Sequence, residues 1–330
     1  MDAKEGGSSD ARPVLLVLRA LGLGDLLVAV PALHALRRAY PQHRLVYAGP
    51  AWLAGAVDLV GGYELLPQAG LASSLPALPG GVDGGVDIAV NLHGRGPEST
   101  ELLRAAGGRK IMAHGAGAGS PGPGSDGADG PGWVEDMNER ARWTRLLQWY
   151  GIGADPADCA LRRPAVAGPV PGATVIHVGA AFPSRLWPAE RFAEVARRLS
   201  DSGHQVVFTG SADERPRALE ICTRAGLPGS AVLAGKLSLA AFAACIAGAR
   251  LVVSADTGAA HLATAYVRPS IVMFGPVGPE RWGPPPGPHV VLTRERLRRG
   301  DPFADNPDPA LLGVTVEDVL RAASELESAH

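Results

Sequence analysis

A run of small residues with one carboxylate, Gly22-Leu23-Gly24-Asp25, follows directly after an apolar stretch. Glycines there permit a tight turn and close approach of a ligand, so Gly22 and Gly24 are candidate ligand contacts. The Asp25 carboxylate could cap a helix or act as a general base at the end of a strand, and spacing alone leaves both roles open. A dinucleotide fingerprint needs a third glycine where Leu27 stands, so an oxidoreductase is not indicated.

A second candidate segment offers backbone amides and a guanidinium. Gly179 and Ala180 lie in a small-residue turn whose N–H groups could contact an anion. Arg185 could pair with phosphate oxygens through two parallel hydrogen bonds, or it could be a solvated arginine in an ordinary loop. Glu214 follows a later apolar stretch and could accept a ribose hydroxyl or simply be a surface carboxylate.

A third candidate segment opens a helix with small residues. Asp256 or Thr257 can cap that helix, and Gly258 leaves its first turn bare. Such a helix start presents N–H groups and the positive end of the helix dipole, which suits a pyrophosphate. His261 lies one turn further and would point to the same place, although a lone histidine in an apolar helix can also be a core residue.

These segments follow apolar runs that are typical of buried strands, and segments of helical period lie between the runs. This alternation predicts an α/β protein with parallel, doubly wound sheets. The predicted strands cover residues 13–18, 45–48, 63–66, 86–91, 110–112, 173–178, 205–209, 250–254 and 270–274.

The chain is predicted to divide near residue 165, giving domains over 13–164 and 165–330. Residues 1–12 are expected to be a disordered tail and 115–132 a flexible loop, because both lack residues that could enter a core. A capping box with Asp318 in the usual Glu position is predicted to start a last helix. Pro31 implies that the first regular helix starts or kinks there, leaving 22–30 as an exposed rim.

Composition narrows the class of protein. A length of 330 residues suits two domains, and 46% hydrophobic residues can fill sizeable cores. With 31 basic and 33 acidic residues, no overall field favours nucleic acid, so any phosphate needs a local site. The cysteines lack metal-site spacing, and no acidic cluster for Mg²⁺ is evident. No apolar run could span a bilayer, which predicts a cytoplasmic protein with peripheral membrane association as an option.

Four segments, in order, resemble the motifs of glycosyltransferase family 9, the ADP-heptose:lipopolysaccharide heptosyltransferase family. They are GLGDLLVAVPALHALRRAYP, HVGAAFPSRLWPAERF, SADTGAAHLATA and FGPVGPERWGP. The resemblance extends from about residue 13 to residue 285, and the Asp-Thr-Gly-x-x-His pattern is its most specific element.

The resemblance implies the GT-B fold, in which a first Rossmann-like domain for the acceptor faces a second one for the nucleotide-sugar donor across a cleft. It implies an inverting, metal-independent transfer of a heptose-type sugar, with ADP-heptose as the first choice of donor and no cofactor. Asp25 falls on the family's catalytic aspartate, and Arg185 falls where the family usually has a phosphate-binding lysine. The matches to the donor-binding loop are Asp256, Thr257, Gly258 and His261.

The predicted acceptor contacts are Gly22, Gly24, Asn91, His93 and Arg95. Relatives often have Asp and Gln where this chain has Asn91 and His93, so the expected acceptor is a glycan or a small secondary metabolite rather than the usual one. Three alternatives stay open: a GT-B-fold nucleotide-sugar epimerase, a transferase for another nucleoside-diphosphate hexose, and a non-catalytic nucleotide-sugar binding protein.

Overall fold

The computed structural model describes residues 12–78, 85–115 and 130–328. The chain divides into two compact units, Met1–Asp158 and Cys159–His330, so the division comes slightly earlier than the sequence-based boundary after residue 164. Residues 1–11 of the predicted tail and residues 116–129 of the loop predicted over 115–132 lie outside the described residues. No helix within the described ranges is long and apolar enough to cross a membrane.

The first unit is built on a parallel sheet of five strands in the order β3-β2-β1-β4-β5. Its central strand, β1, is apolar and buried throughout, as expected for a strand covered on both faces. The strands are β1 Val14–Leu18, β2 Arg44–Gly49, β3 Glu64–Pro67, β4 Val86–Asn91 and β5 Lys110–Met112. The helices are α1 Leu23–Ala39, α2 Ala54–Val60, α3 Glu98–Ala105 and α4 Glu139–Trp149.

The second unit repeats this plan with a parallel sheet in the order β10-β9-β8-β6-β7. Its strands are β6 Thr174–His177, β7 Val206–Thr209, β8 Leu251–Ala255, β9 Ser270–Met273 and β10 His289–Leu292. Its helices are α5 Ala189–Asp201, α6 Arg215–Arg224, α7 Leu239–Ala247, α8 Gly258–Ala265, α9 Pro279–Trp282, α10 Pro309–Leu312 and α11 Val316–Ser328. Helix α5 buries an apolar face that includes Phe192, Val195 and Leu199, in keeping with their helical spacing.

Two doubly wound parallel sheets confirm the predicted α/β fold class, and every predicted strand has a counterpart. The sequence analysis missed β10. Its four residues are all only partly buried, and it lies at the edge of the sheet after a Pro-rich stretch. A short edge strand of this kind gives little apolar signal.

Two parts of the prediction for the first helix are wrong, because the helix does not begin at Pro31 and residues 26–30 before the proline are buried rather than an exposed rim. Helix α1 includes Pro31 in its interior, and its residues from Leu26 to Leu36 are buried. Proline removes one helical hydrogen bond, at a cost of about 3 kcal/mol. The helix persists because it packs its apolar residues against the rest of the first unit, including α4, and burying each such side chain contributes roughly 1.5–3 kcal/mol.

The capping box at the start of α11 is confirmed. The Asp318 N–H donates to Thr315 Oγ1 at 3.2 Å, and the Thr315 N–H donates to Asp318 Oδ2 at 3.0 Å. The Asp318 side chain, 8% exposed, also meets the guanidinium groups of Arg294 and Arg321. Burial alone would raise the pKa of Asp318, but hydrogen bonds from Thr315 and the two arginines hold it below its ordinary value.

Thr315→Ala should therefore lower the free energy of unfolding of the second unit by about 1 kcal/mol, because the variant loses the hydroxyl acceptor of the cap. Urea denaturation followed by circular dichroism measures this change. Thr315→Ser keeps the hydroxyl and is the matched control. Equal stability of the Ala and Ser variants would show that the cap contributes nothing.

Candidate functional site

Asp25 lies in the first turn of α1, and two donors hold its carboxylate. Oδ2 accepts a hydrogen bond from the Gly22 N–H at 3.2 Å, and Oδ1 accepts one from Arg19 Nη2 at 3.0 Å. Gly22 is the N-cap residue, so Asp25 closes the turn from the third helical position. The Asp25 side chain remains 29% exposed. A stabilising role in the turn and an accessible carboxylate therefore coexist.

Arg19, directly after β1, is the residue that fixes this carboxylate. Its side chain is 1% exposed. Nε donates to the Asp25 carbonyl at 2.6 Å, and Nη1 donates to the Leu92 carbonyl after β4. The guanidinium carbon lies 4.8 Å from the centroid of a Trp143 ring on α4. A buried guanidinium needs partners on every side, and this one joins β1, β4, α1 and α4.

His93 lies beside Arg19 at the end of the neighbouring strand. Its Nδ1 accepts a hydrogen bond from the Ala20 N–H at 3.2 Å, which leaves the proton of the neutral ring on Nε2. Burial lowers the pKa of His93 and the Arg19 charge lowers it further, whereas Asp25 acts in the opposite direction. His93 is thus a neutral donor near Asp25.

The other predicted acceptor residues differ in their exposure. Asn91 is fully buried, and its amide donates to Ser99 Oγ at 2.8 Å and to Thr100 Oγ1 at 3.0 Å. Its oxygen accepts the His93 N–H at 3.0 Å. The Asn91 amide thus positions the loop that carries His93. Arg95 is exposed in the same loop.

Gly22 and Gly24 are both half-buried in the turn before Asp25. A Cβ added to Gly22 would lie 3.5 Å from Asp25 Oδ2, an ordinary contact. The two glycines therefore belong to the same turn as the carboxylate.

In the second unit, Gly179 and Ala180 form the turn after β6, and Glu214 approaches that turn closely. A Cβ added to Gly179 would lie 1.9 Å from the Glu214 carboxyl carbon, so a side chain at 179 would force the carboxylate to move. Glu214 Oε2 accepts the Ser211 N–H at 2.6 Å, and the Glu214 N–H donates to Ser211 Oγ at 3.3 Å. The Glu214 carboxylate is thus held at the edge of the sheet.

The structure brings Arg185, Asp256 and His261 together. Arg185 Nη1 lies 3.8 Å from Asp256 Oδ2, and His261 Nε2 lies 3.7 Å from Asp256 Oδ1. Both distances are longer than a hydrogen bond. The Asp256 and His261 side chains are each 7% exposed, and that of Arg185 is 24% exposed. The Trp282 ring lies 6.0 Å from that of His261.

Several polar atoms around this group are buried without a hydrogen-bond partner among the described residues. They are Arg185 Nε, Ser254 Oγ and Thr257 Oγ1. Thr257 is the N-cap residue of α8, directly before Gly258, but its hydroxyl does not cap the helix. Buried polar groups are normally hydrogen-bonded, so these three atoms, one of them at a helix start, make this a candidate site for a polar ligand.

Sequence comparison relates the second unit to a known family. Residues 159–298 match the sequence model of glycosyltransferase family 9 (heptosyltransferase). Lipopolysaccharide heptosyltransferase 1 of Pseudomonas aeruginosa is 39% identical over 152 residues, which cover 44% of this chain and 42% of that protein. The chain is related to glycosyltransferase family 9. The resemblance found in its motifs is thus confirmed, while the matched part spans less than half of that curated relative.

Solved structures extend the likeness to the first unit at the level of the fold. The family 9 glycosyltransferase of Veillonella parvula DSM 2008 aligns with a TM-score of 0.75 and 19% identity, over 98% of this chain and 99% of that one. E. coli heptosyltransferase WaaC with ADP aligns with a TM-score of 0.67 and 20% identity, over 94% and 99%. The predicted GT-B fold class is confirmed.

In this family 9 relative, the sequence analysis missed four residues close to the candidate sites. They are Arg19, Trp143, His177 and Ser254. An arginine ending an apolar strand was a usable signal for Arg19, because a charge there must find a partner. His177, at the end of β6, has Nδ1 3.1 Å from Thr209 Oγ1, and burial lowers its pKa while Glu214 opposes the shift. Ser254 opens the quoted motif SADTGAAHLATA, which was a usable signal, whereas nothing in the sequence distinguishes Trp143 from an ordinary core residue.

Arg19→Met should lower the free energy of unfolding of the first unit by about 3 kcal/mol or more, because it leaves buried carbonyls without donors. Arg38→Met is the control in the same unit, since Arg38 is 56% exposed in its ion pair with Asp158 and exposed pairs contribute about 1 kcal/mol or less. Urea denaturation followed by fluorescence compares them. Similar losses in both variants would contradict the central role of Arg19.

Proposed function

We propose that this protein is an inverting, metal-independent glycosyltransferase. It transfers a heptose-type sugar, with ADP-heptose as the first candidate donor, to a hydroxyl of a glycan or small-molecule acceptor. The observation that carries the proposal is the set of orphaned polar atoms on Arg185 after β6, Ser254 in β8 and Thr257 at the start of α8. The family 9 match over residues 159–298 includes this set, and the fold relative WaaC was solved with ADP.

The second unit offers the groups that a nucleoside diphosphate requires. The Arg185 guanidinium and the first turn of α8 can meet the diphosphate, because both present N–H donors and positive charge. The Asp256 carboxylate lies between Arg185 and His261, with 3.8 Å to Arg185 Nη1 and 3.7 Å to His261 Nε2. The Glu214 carboxylate can accept a hydrogen bond from a ribose hydroxyl. Gly179, Ala180 and Gly258 allow the ligand to approach the backbone.

The diphosphate contacts also favour the chemical step. As the bond between the anomeric carbon and the leaving oxygen breaks, negative charge grows on the diphosphate. Fixed donors aimed at such a developing charge are commonly the largest contribution to catalysis. In this proposal Arg185 and the start of α8 supply these donors without a metal ion.

Asp25 is the proposed general base. It takes the proton of the acceptor hydroxyl as the hydroxyl oxygen bonds to the anomeric carbon from the side opposite the leaving group, which inverts that carbon. Each Asp25 oxygen accepts one hydrogen bond, from Gly22 or Arg19, and so keeps a lone pair for the proton. His93, Arg95, Gly22 and Gly24 are the proposed acceptor contacts, with Asn91 positioning His93.

We place the proposed sugar transfer in the cytoplasm, with peripheral membrane association as an option and without a nucleic-acid partner. The formal net charge of −2 gives no general attraction to nucleic acid.

Asp25→Asn should reduce kcat by roughly 10²–10⁴-fold, because the amide cannot take a proton. Its carbonyl oxygen still accepts one hydrogen bond, so donor affinity should stay nearly unchanged. The assay follows nucleoside diphosphate release from ADP-heptose in the presence of EDTA, with and without acceptor. Asp58→Asn, on the exposed side of α2, is the control.

Each part of this assay can refute one part of the proposal. Full activity of Asp25→Asn would show that Asp25 only closes its turn. Loss of wild-type activity in EDTA would refute metal independence. Conversion of the nucleotide sugar without an acceptor would support the epimerase instead.

Arg185→Ala should weaken ADP binding by about 10–100-fold, as expected for the loss of one charged hydrogen-bonding group, which is worth about 1.5–3 kcal/mol. Arg185→Lys should recover part of the affinity, because it keeps the charge without the two-pronged geometry. Calorimetry with ADP measures both. Arg197→Ala is the control, because Arg197 is an exposed arginine of α5 that pairs with Glu194 and Asp201. Equal ADP affinities for the two Ala variants would remove the phosphate-site assignment.

A further inference from the structure

An aromatic cluster in the first unit lies beside Arg19. His114, Trp133 and Trp143 meet edge to face, with ring centroids 5.0 Å apart for His114 and Trp133 and 5.8 Å apart for His114 and Trp143. Cations cover two of the rings. The Arg19 guanidinium lies over Trp143, and the Arg142 guanidinium lies over Trp133 at 3.9 Å. The cluster is therefore continuous with the group that holds Asp25.

Two polar atoms inside this cluster are buried without a hydrogen-bond partner among the described residues. They are Trp143 Nε1 and His114 Nε2. Trp143 is 1% exposed and His114 is 4% exposed, so bulk water does not reach either ring freely. Trp133 differs, because its Nε1 donates to Glu135 Oε2 at 2.9 Å.

The hydrogen bond on the other side of the His114 ring determines what its Nε2 can do. His114 Nδ1 lies 3.0 Å from the Pro131 carbonyl oxygen. A carbonyl can only accept, so Nδ1 carries the proton and Nε2 has a free lone pair. Burial lowers the pKa of His114 to about 4, against the Pro131 hydrogen bond and together with the nearby Arg142 and Arg145 charges, so the ring is neutral at pH 7.

The cluster thus offers one buried donor, the Trp143 N–H, and one buried acceptor, His114 Nε2. The two rings are in contact, yet the two atoms do not bond to each other. A hydroxyl group can satisfy both at once, because its oxygen accepts and its hydrogen donates. A carboxylate has no proton for Nε2, and an ammonium group has no acceptor for the Trp143 N–H.

We propose that the first unit binds a hydroxyl group, of a water molecule or of a sugar, between Trp143 Nε1 and His114 Nε2. The hydroxyl oxygen accepts from Trp143, and its hydrogen is donated to His114. This inference rests on the geometry of the first unit alone and does not depend on the proposed sugar transfer.

A double-mutant cycle on thermal stability tests the bridge. Trp143→Phe and His114→Phe should each lower the melting temperature, by about 2–6 °C, because each leaves the hydroxyl and the remaining ring with an unmet partner. The double variant should lose clearly less than the summed losses, since neither ring then needs the hydroxyl. The control pair, Trp133→Phe with His114→Phe, reports the coupling from ring contact alone and should deviate less from additivity, because the Trp133 N–H bonds to Glu135 instead.

A crystal structure of the unliganded wild-type protein provides the second measurement and needs no variant to fold. Density for one oxygen within hydrogen-bond distance of both nitrogens identifies a bound water. D-Glucose then separates the two sources: a sugar hydroxyl is supported if glucose raises the melting temperature of the wild type but not of Trp143→Phe. An empty site between the rings, additive losses in both cycles and no effect of glucose would overturn the proposal.

Discussion

The buried guanidinium of Arg19 is the interaction on which the candidate site of the first unit depends. It follows the carboxyl end of the central strand, β1, and the carboxyl ends of neighbouring parallel strands lie side by side at this edge of the sheet. It donates to Asp25 and to the carbonyl after β4, and it packs on Trp143. A charge removed from water this completely must be matched on every side. The same matching holds the Asp25 carboxylate in one orientation and leaves it partly exposed.

In the second unit, several polar atoms of the candidate site have no hydrogen-bond partner among the described residues. Arg185, Ser254 and Thr257 each bury a polar atom that no described residue satisfies, at the start of a helix whose first turn is formed by small residues. An orphaned donor or acceptor costs stability unless a ligand meets it. These three atoms therefore have no hydrogen-bond partner among the described residues, whereas the first unit pairs the Arg19 and Asp25 charges with each other. This difference suits a proposed division of labour between a preformed base and a site completed by its anionic ligand.

The match to glycosyltransferase family 9 covers residues 159–298, and the fold likeness to a solved family 9 glycosyltransferase covers nearly the whole chain. Three local features of this chain lie within that shared fold. Arg185 stands where the resemblance expects a lysine, and a planar guanidinium contacts phosphate in a different geometry from an ammonium group. His93 is held as a neutral donor by the Ala20 amide. The aromatic cluster around His114 lies beside Arg19 and contains one buried donor and one buried acceptor without a partner among the described residues.

The sequence by itself determined strands β1 to β9, their parallel arrangement and the glycine-rich turns, because buried apolar runs and helical spacing are local patterns, whereas the partly buried edge strand β10 lacks such a pattern. It also located Asp25, Arg185, Asp256 and His261, which lie in short contiguous motifs. The tertiary structure alone decided that α1 continues through Pro31, because packing on α4 outweighs the lost hydrogen bond. Only the tertiary structure brought the Arg19 guanidinium into hydrogen-bond contact with Asp25 and the Trp143 ring against that of His114. Such pairings join distant parts of the chain, so their energies arise only when the sheet and helices have assembled, and no local spacing records them.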